Sequence, residues 1–308
     1  MQTTGQARVI DPILTSVVQG YQHPERVGNM LVPEVPVEVS AGRIIEFNKD
    51  SFKIYNSARA PGSKTKRIEW GYQGKPYVVE NHARHQGVER ELQRDASVVP
   101  GIDLSATAVG NAMKSLGLEL ENQQAVLATT LGNYDASHKI TLTAGTKWST
   151  ATGTPAADVE AAKEAIRQTC GKRPNTMILS PAAYKAARNN PNVLDRFKYT
   201  SDKVVTAKML SELFEIENIA VGDAIVSDQA GTFTDVWGNN VVLAYVAPPA
   251  ERNMQVPSFG YTYTLRGHPL VEMPYYDSES KSWVYGVAHE RAAVLTGMVS
   301  GYLIQNPN

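Results

Sequence analysis

Between residues 104 and 131 the apolar positions Val109, Met113, Leu116, Leu120 and Leu127 recur at spacings of three, four or seven. A helix carries such positions on one stripe, so the pattern predicts a long helix with an apolar face. Asp103 or Ser105 can cap its start and Gly132 suits its end. At about 1.5 Å per residue it would span about 40 Å, long enough to be the spine of a domain. Upstream the pattern changes. Val32-Pro33-Glu34-Val35-Pro36-Val37-Glu38-Val39 alternates apolar residues with polar residues or proline. Its two prolines remove two backbone donors, which argues against a central strand and for an extended arm or an edge strand.

Between arm and helix the chain reads as β. Ile44–Phe47 and Phe52–Tyr55 flank the turn Asn48-Lys49-Asp50-Ser51, and Ala60 to Arg67 reads as an exposed loop tip. Ile68, Trp70 and Tyr72 alternate with polar or small residues, and Tyr77-Val78-Val79 begins a return strand after Gln73-Gly74-Lys75. Such a long two-stranded excursion needs support from another surface. After the spine, helix and strand alternate. Thr154-Pro155 opens a helix carrying Val159, Ala162, Ile166 and Cys170 and closed by Gly171; Ser180-Pro181 and Thr206 open two more. Thr176–Leu179, Ile219–Val221 and Val241–Val246 are strands, so residues 133–250 form an α/β module. The last fifty residues return to β pattern at Tyr261–Leu265, Ser282–Val287 and Val299–Ile304.

Composition narrows the classes. With 308 residues and 42% hydrophobic positions the chain can bury a sizeable core. A net charge of −1 gives no overall basic field for nucleic acid. Locally, Arg43 to Arg94 holds eleven Lys or Arg against six Asp or Glu. That segment reads first as a protein contact surface, then as a solvated hairpin, and last as a nucleic-acid site with Trp70, Tyr72 and Tyr77 as stacking groups. The single cysteine, Cys170, excludes an intramolecular disulfide framework and suits a reducing compartment. Residues 1–8 hold no apolar core of a signal peptide, and no run approaches the roughly 20 apolar residues of a membrane span.

Catalytic chemistry has little to rest on. His82 and His85 have a spacing that a helix would turn to one face, but they lack a third ligand and read as solvated histidines at a strand-to-helix junction. Gly62-Ser63-Lys64-Thr65 lacks the order and flanking elements of a phosphate-binding loop, and no Gly-x-Ser-x-Gly elbow occurs. No catalytic, cofactor or metal site is expected.

The order of these elements resembles the HK97-like major capsid proteins of tailed phages. Gly71–Ala83 looks like the return of their E-loop toward the spine helix, and Asn175–Tyr184 is similar to their A-domain strand-to-helix step. The resemblance covers nearly the whole chain. It implies an α+β, HK97-like capsid fold with an N-arm at 1–42, an E-loop β-hairpin with flanking strands at 43–95, and the P-domain spine helix at 96–132. The A-domain would span 133–250, and P-domain return strands with the C-terminus 251–308. The implied function is that of a structural subunit assembling into hexamers and pentamers of an icosahedral head around double-stranded DNA. A separate scaffolding protein, a portal and a decoration protein would be its partners, with packaged DNA touched non-specifically on the inner face and no membrane. Such a subunit would assemble in the host cytoplasm and reside in the virion. Expected subunit contacts are Lys64, Lys66 and Arg67 at the E-loop tip and Ile13, Leu14, Val17 and Val18 in the arm. Val109, Met113, Leu116, Leu120 and Leu127 would form the spine-helix core. No scaffold-like helical segment precedes the Pro33–Pro36 arm, so the N-terminus is expected to be kept through maturation. The alternatives are a soluble α/β enzyme or nucleotide-binding protein with a β-rich extension, and a phage tail or neck protein.

Overall fold

Leu104–Thr129 forms one 26-residue helix whose Asp103 cap accepts from the backbone amides of Ser105 and Ala106. The computed structural model describes residues 10–19, 26–43, 76–96, 103–198, 205–252 and 258–308, with Ala58, Lys64, Val98 and Val256. The spine helix stops at Thr129, short of Gly132: Thr130 turns extended, and Leu131–Asn133 tightens into a 3-10 turn. The hydroxyls of Thr129 and Thr130 bond back to the carbonyls of Ala125 and Val126, satisfying part of the helix end without a glycine.

The first half of the helix lies on a six-stranded sheet. The hub of that sheet is the 14-residue strand Ser282–Leu295. One edge pairs antiparallel with Glu80–Glu89, from Ser282 opposite Glu89 to Arg291 opposite Glu80. The other edge takes Tyr275–Asp277, Leu270–Val271 and Gly260–Leu265 in turn. Val109, Met113 and Leu116 pack there with Val88, Val271, Tyr285 and Val287. Glu34–Val37 adds a parallel edge strand on Gly260–Leu265, which leaves the amide-less Pro36 on a strand paired on one side only.

A five-stranded sheet forms the second body, in the order Lys139–Thr141, Gly301–Gln305, Asn240–Ala244, Thr176–Leu179, Asn218–Val221. Strand alternation divides its side chains. Met177, Leu179, Val241, Leu243 and Ile304 meet a core that includes Val159, Ile166, Ala183, Ala187, Leu210 and Phe214, from the helices Pro155–Cys170, Pro181–Asn189 and Ala207–Phe214. Ile178, Val242, Ala244 and Leu303 face the other way, toward Ala125 and Ala128 of the spine helix and Trp237. Both faces are covered, which is why Thr176–Leu179 is a continuous buried run. Gly171 closes its helix in the left-handed conformation, and Ser180 and Thr206 cap theirs by side-chain acceptance from Ala183 and Met209. Thr154 precedes its helix without a side-chain cap bond.

Two sequence expectations change. The C-terminal strand Gly301–Gln305, expected among the return strands of 251–308, sits inside the five-stranded sheet beside Asn240–Ala244. Its Leu303 and Ile304 are fully buried there, one in each of the two cores. Leu127, expected in the spine core, is half-buried. The helix changes partner midway, and its buried face turns to Glu121, Gln124, Ala125 and Ala128, one side away from Leu127. Of the expected excursion, Pro76–Val78 pairs antiparallel with Ala41–Arg43. Ile44–Phe47, Phe52–Tyr55 and Ile68–Tyr72 lie outside the described residues.

Candidate functional site

Where the spine helix passes from one sheet to the other, two buried polar side chains join three parts of the chain. The Glu121 carboxylate accepts from the backbone amides of Val27 at 3.1 Å and Gly28 at 2.9 Å, and from Trp237 Nε1 at 2.8 Å. Gln124 Nε2, one turn on, lies 2.8 Å from Asn29 Oδ1, 2.9 Å from Thr262 Oγ1 and 3.2 Å from the Val32 carbonyl. Both residues are almost wholly buried. Gly28 has no room for a side chain, since a Cβ would overlap Gln124 Oε1 and Glu121 Oε2. With three donors on one carboxylate, Glu121 is a structural acceptor that fixes the arm and the five-stranded sheet to one helix.

Beside this joint lies a polar cavity of about 310 Å³, lined among others by Arg26, Glu34, His289 and Arg291. Arg291 is 1% exposed and donates from one guanidinium nitrogen to the Leu116 carbonyl at 2.8 Å. Burial lowers its affinity for the proton to a pKa of about 10. Its neighbour His289 is pushed down to about 3, first by burial, then by the positive Arg291 and by His268 and His82. Burial raises the Glu34 carboxyl, opposed by its bond from Asn29 and by Arg291. His289 is therefore a neutral ring at ordinary pH.

His82 and His85 lie mid-strand in Glu80–Glu89, not at a junction, so their spacing puts them on opposite faces. His82 Nδ1 meets Glu119 of the spine helix at 2.9 Å, while His85 Nε2 lies 3.6 Å from Glu272. Among the described residues no group of three or more His, Cys, Asp or Glu is placed to hold a metal ion. No described helix is long and apolar enough to cross a membrane. Cys170 is buried, and burial raises its thiol.

The arm residues divide. Helix Pro12–Gln19 docks on its own subunit: the Asp11 amide donates to the Val271 carbonyl, and the Val271 amide donates to Thr15 Oγ1. Val18 is buried and Leu14 packs against the same spine core, whereas Ile13 is 75% exposed. Thus the apolar patch expected to anchor on a neighbour is partly consumed within the chain, because the short strand Leu270–Val271 offers it an edge. The side chain of Val17 lies outside the described residues, as do Lys66 and Arg67; Lys64 is exposed. Val109, Leu116 and Leu120 are buried and Met113 is 9% exposed. No hydrophobic periodicity or motif marks Glu121, Gln124, His289 or Arg291. Polar residues beside an apolar stripe read as solvated until a second element covers them.

Known proteins give this architecture its context. A family model described as phage major capsid protein E matches residues 133–292. The major capsid protein of Burkholderia phage BcepMu is 36% identical over 308 residues, covering 98% of this chain and 97% of that protein. The crystal structure of a phage-related protein from Bordetella bronchiseptica RB50 matches with a TM-score of 0.85 and 44% identity over 98% of each chain. The crystal structure of a putative capsid protein of an E. coli CFT073 prophage matches with a TM-score of 0.59 and 12% identity, over 96% of this chain and 98% of that one. At that identity the likeness concerns the fold alone, and that fold is the HK97-like α+β capsid fold. The alternative of a soluble α/β enzyme draws nothing from these relatives. The chain belongs to the phage major capsid protein E family.

Proposed function

We propose that this protein is the shell-building subunit of a phage head, that its copies assemble into hexamers and pentamers, and that the closed shell encloses double-stranded DNA. The observation that carries this reading is the 36% identity, over almost the whole of both chains, with a phage major capsid protein. Two physical features support it. The strand Ser282–Leu295 and its partner Glu80–Glu89 form a ladder ten pairs long, a stiff beam stiffened further by the spine helix. Large apolar side chains remain exposed outside the cores, among them Ile13, Phe233, Tyr275 and Trp283, and repeated contacts between copies would cover them.

In this reading the subunit is a component of the virion, assembled in the host cytoplasm, and it performs no catalysis. A scaffolding protein, a portal and a decoration protein act on the shell, and its inner face touches DNA without sequence preference. Lys64, Lys66 and Arg67 contact acidic groups of a neighbouring copy, each exposed pair contributing about 0–1 kcal/mol. Val109, Met113, Leu116 and Leu120 keep the spine seated while neighbours pull on the arm and excursion. Sedimentation velocity and negative-stain imaging of the purified protein, alone and with its scaffold, test this. Capsomers or closed shells are expected; a strictly monomeric species under every condition refutes it.

A further inference from the structure

Charge is unevenly divided along the sequence of the α/β module. From Met209 to Glu251 there are seven Asp or Glu and no Lys, Arg or His, whereas Ala165 to Lys198 holds seven Lys or Arg and a single acid. Inside the acidic stretch a two-stranded antiparallel ribbon, Ile225–Ser227 with Phe233–Asp235, stands apart from both main sheets. Asp223, Asp228 and Asp235 are exposed on or beside it, with no ion-pair partner among the described residues. Phe233 is 69% exposed and Ile225 50%. An isolated ribbon is marginal in water, and a bare phenylalanine on it adds an unmet demand for burial.

The basic half offers a matching surface. Helices Pro181–Asn189 and Pro191–Arg196 present Lys185 and Arg196, followed by Lys198, all exposed and none ion-paired among the described residues, with Leu194 45% exposed beside them. Next to Arg196 a cavity of about 250 Å³ is lined by the apolar Pro155, Ala156, Ala157 and Val193 together with the polar Thr154 and Asn192. It is mainly apolar, includes the cation Arg196, and is large enough to admit one side chain.

We propose that the ribbon of one copy docks on the helix pair of a second copy, with Phe233 seated in the cavity beside Arg196 and the three aspartates facing Lys185, Arg196 and Lys198. The contact is heterologous, ribbon to helix pair, so every copy uses one of each, and a rotation that closes yields a ring. The aromatic anchor supplies affinity, while charge complementarity supplies orientation and rejects the reversed arrangement. This inference rests on the shell-subunit reading and names one of its contacts.

Charge reversal with restoration tests it. The variant D223K/D228K/D235K and the variant K185E/R196E/K198E are each expected to lower shell or capsomer yield by at least about tenfold, with circular dichroism unchanged. Combining all six changes in one chain is expected to recover assembly, because the two faces are again opposite in sign. Phe233→Ser and the cavity-filling Ala157→Trp should each weaken assembly alone. Normal shells from both charge-reversed variants overturn the docking, as does a folded six-fold variant that stays as defective as its parents. In either case wild-type shells leave the shell-subunit reading standing; failure of wild-type protein to assemble strikes that reading instead.

Discussion

Removing the Glu121 carboxylate is the sharpest test of the joint between arm, spine helix and five-stranded sheet. Glu121→Leu keeps the helix propensity and nearly the volume, and strips the carboxylate acceptor from Trp237 Nε1 and the amides of Val27 and Gly28. Val27, Gly28, Glu121 and Trp237 are all buried, so water cannot replace the lost partner without opening the joint. Each orphaned buried donor costs about 1–3 kcal/mol, so the three together predict a loss of about 3–6 kcal/mol after partial relaxation. That is a large share of the roughly 5–15 kcal/mol of an ordinary domain. Glu121→Gln keeps one carbonyl acceptor and should lose about 1–3 kcal/mol. Urea unfolding of the unassembled subunit, followed by tryptophan fluorescence and circular dichroism, gives both numbers. Limited proteolysis adds a local readout, since residues 26–32 should become cleavable in the leucine variant before the spine helix melts. A loss below about 1 kcal/mol for Glu121→Leu, with an unchanged cleavage pattern, would refute the joint.

Two further perturbations probe the same framework. Leu116→Asp places a charge at a fully buried position opposite Val287 and Tyr285; the expected cost is on the order of 5 kcal/mol, and soluble, assembly-competent protein would show that the stripe is misplaced. His289 is held neutral in the folded protein, with its pKa depressed from the usual 6.5 to about 3. The unfolded chain therefore takes up the proton first, and the stability tied to His289 is whole above pH 6.5 and lost progressively as the pH falls toward 3. The slope from this one group is at most about 1.4 kcal/mol per pH unit. His289→Gln should flatten the fall in unfolding free energy between pH 6 and pH 4, and parallel curves for the two proteins would contradict the buried neutral ring.

Local rules made much of this protein legible from its sequence. The stripe Val109–Leu120 predicts the spine helix because a helix repeats every 3.6 residues wherever it sits. Asp103, Ser180, Thr206 and Gly171 mark helix ends because a cap is a contact between near neighbours in the chain. The prolines around Glu34 restrict that strand to an edge for an equally local reason. The order of arm, excursion, spine and α/β module then points to a family, since order survives when individual residues do not.

What the tertiary structure decided is everything that depends on which surfaces meet. Gly301–Gln305 lies more than fifty positions from Asn240–Ala244, and no periodicity tells a strand which distant edge it will pair with. The spine helix carries Glu121 and Gln124 into the interior only because a second sheet and the residues around Gly28 close over its far half. The same change of partner strands Leu127 at the margin. His289, Glu290 and Arg291 are three consecutive polar residues on one strand, and nothing in their order marks His289 and Arg291 for the interior until the helix covers that face and the cost of burying charge sets their protonation. Burial is a property of two surfaces, and the sequence describes each of them alone.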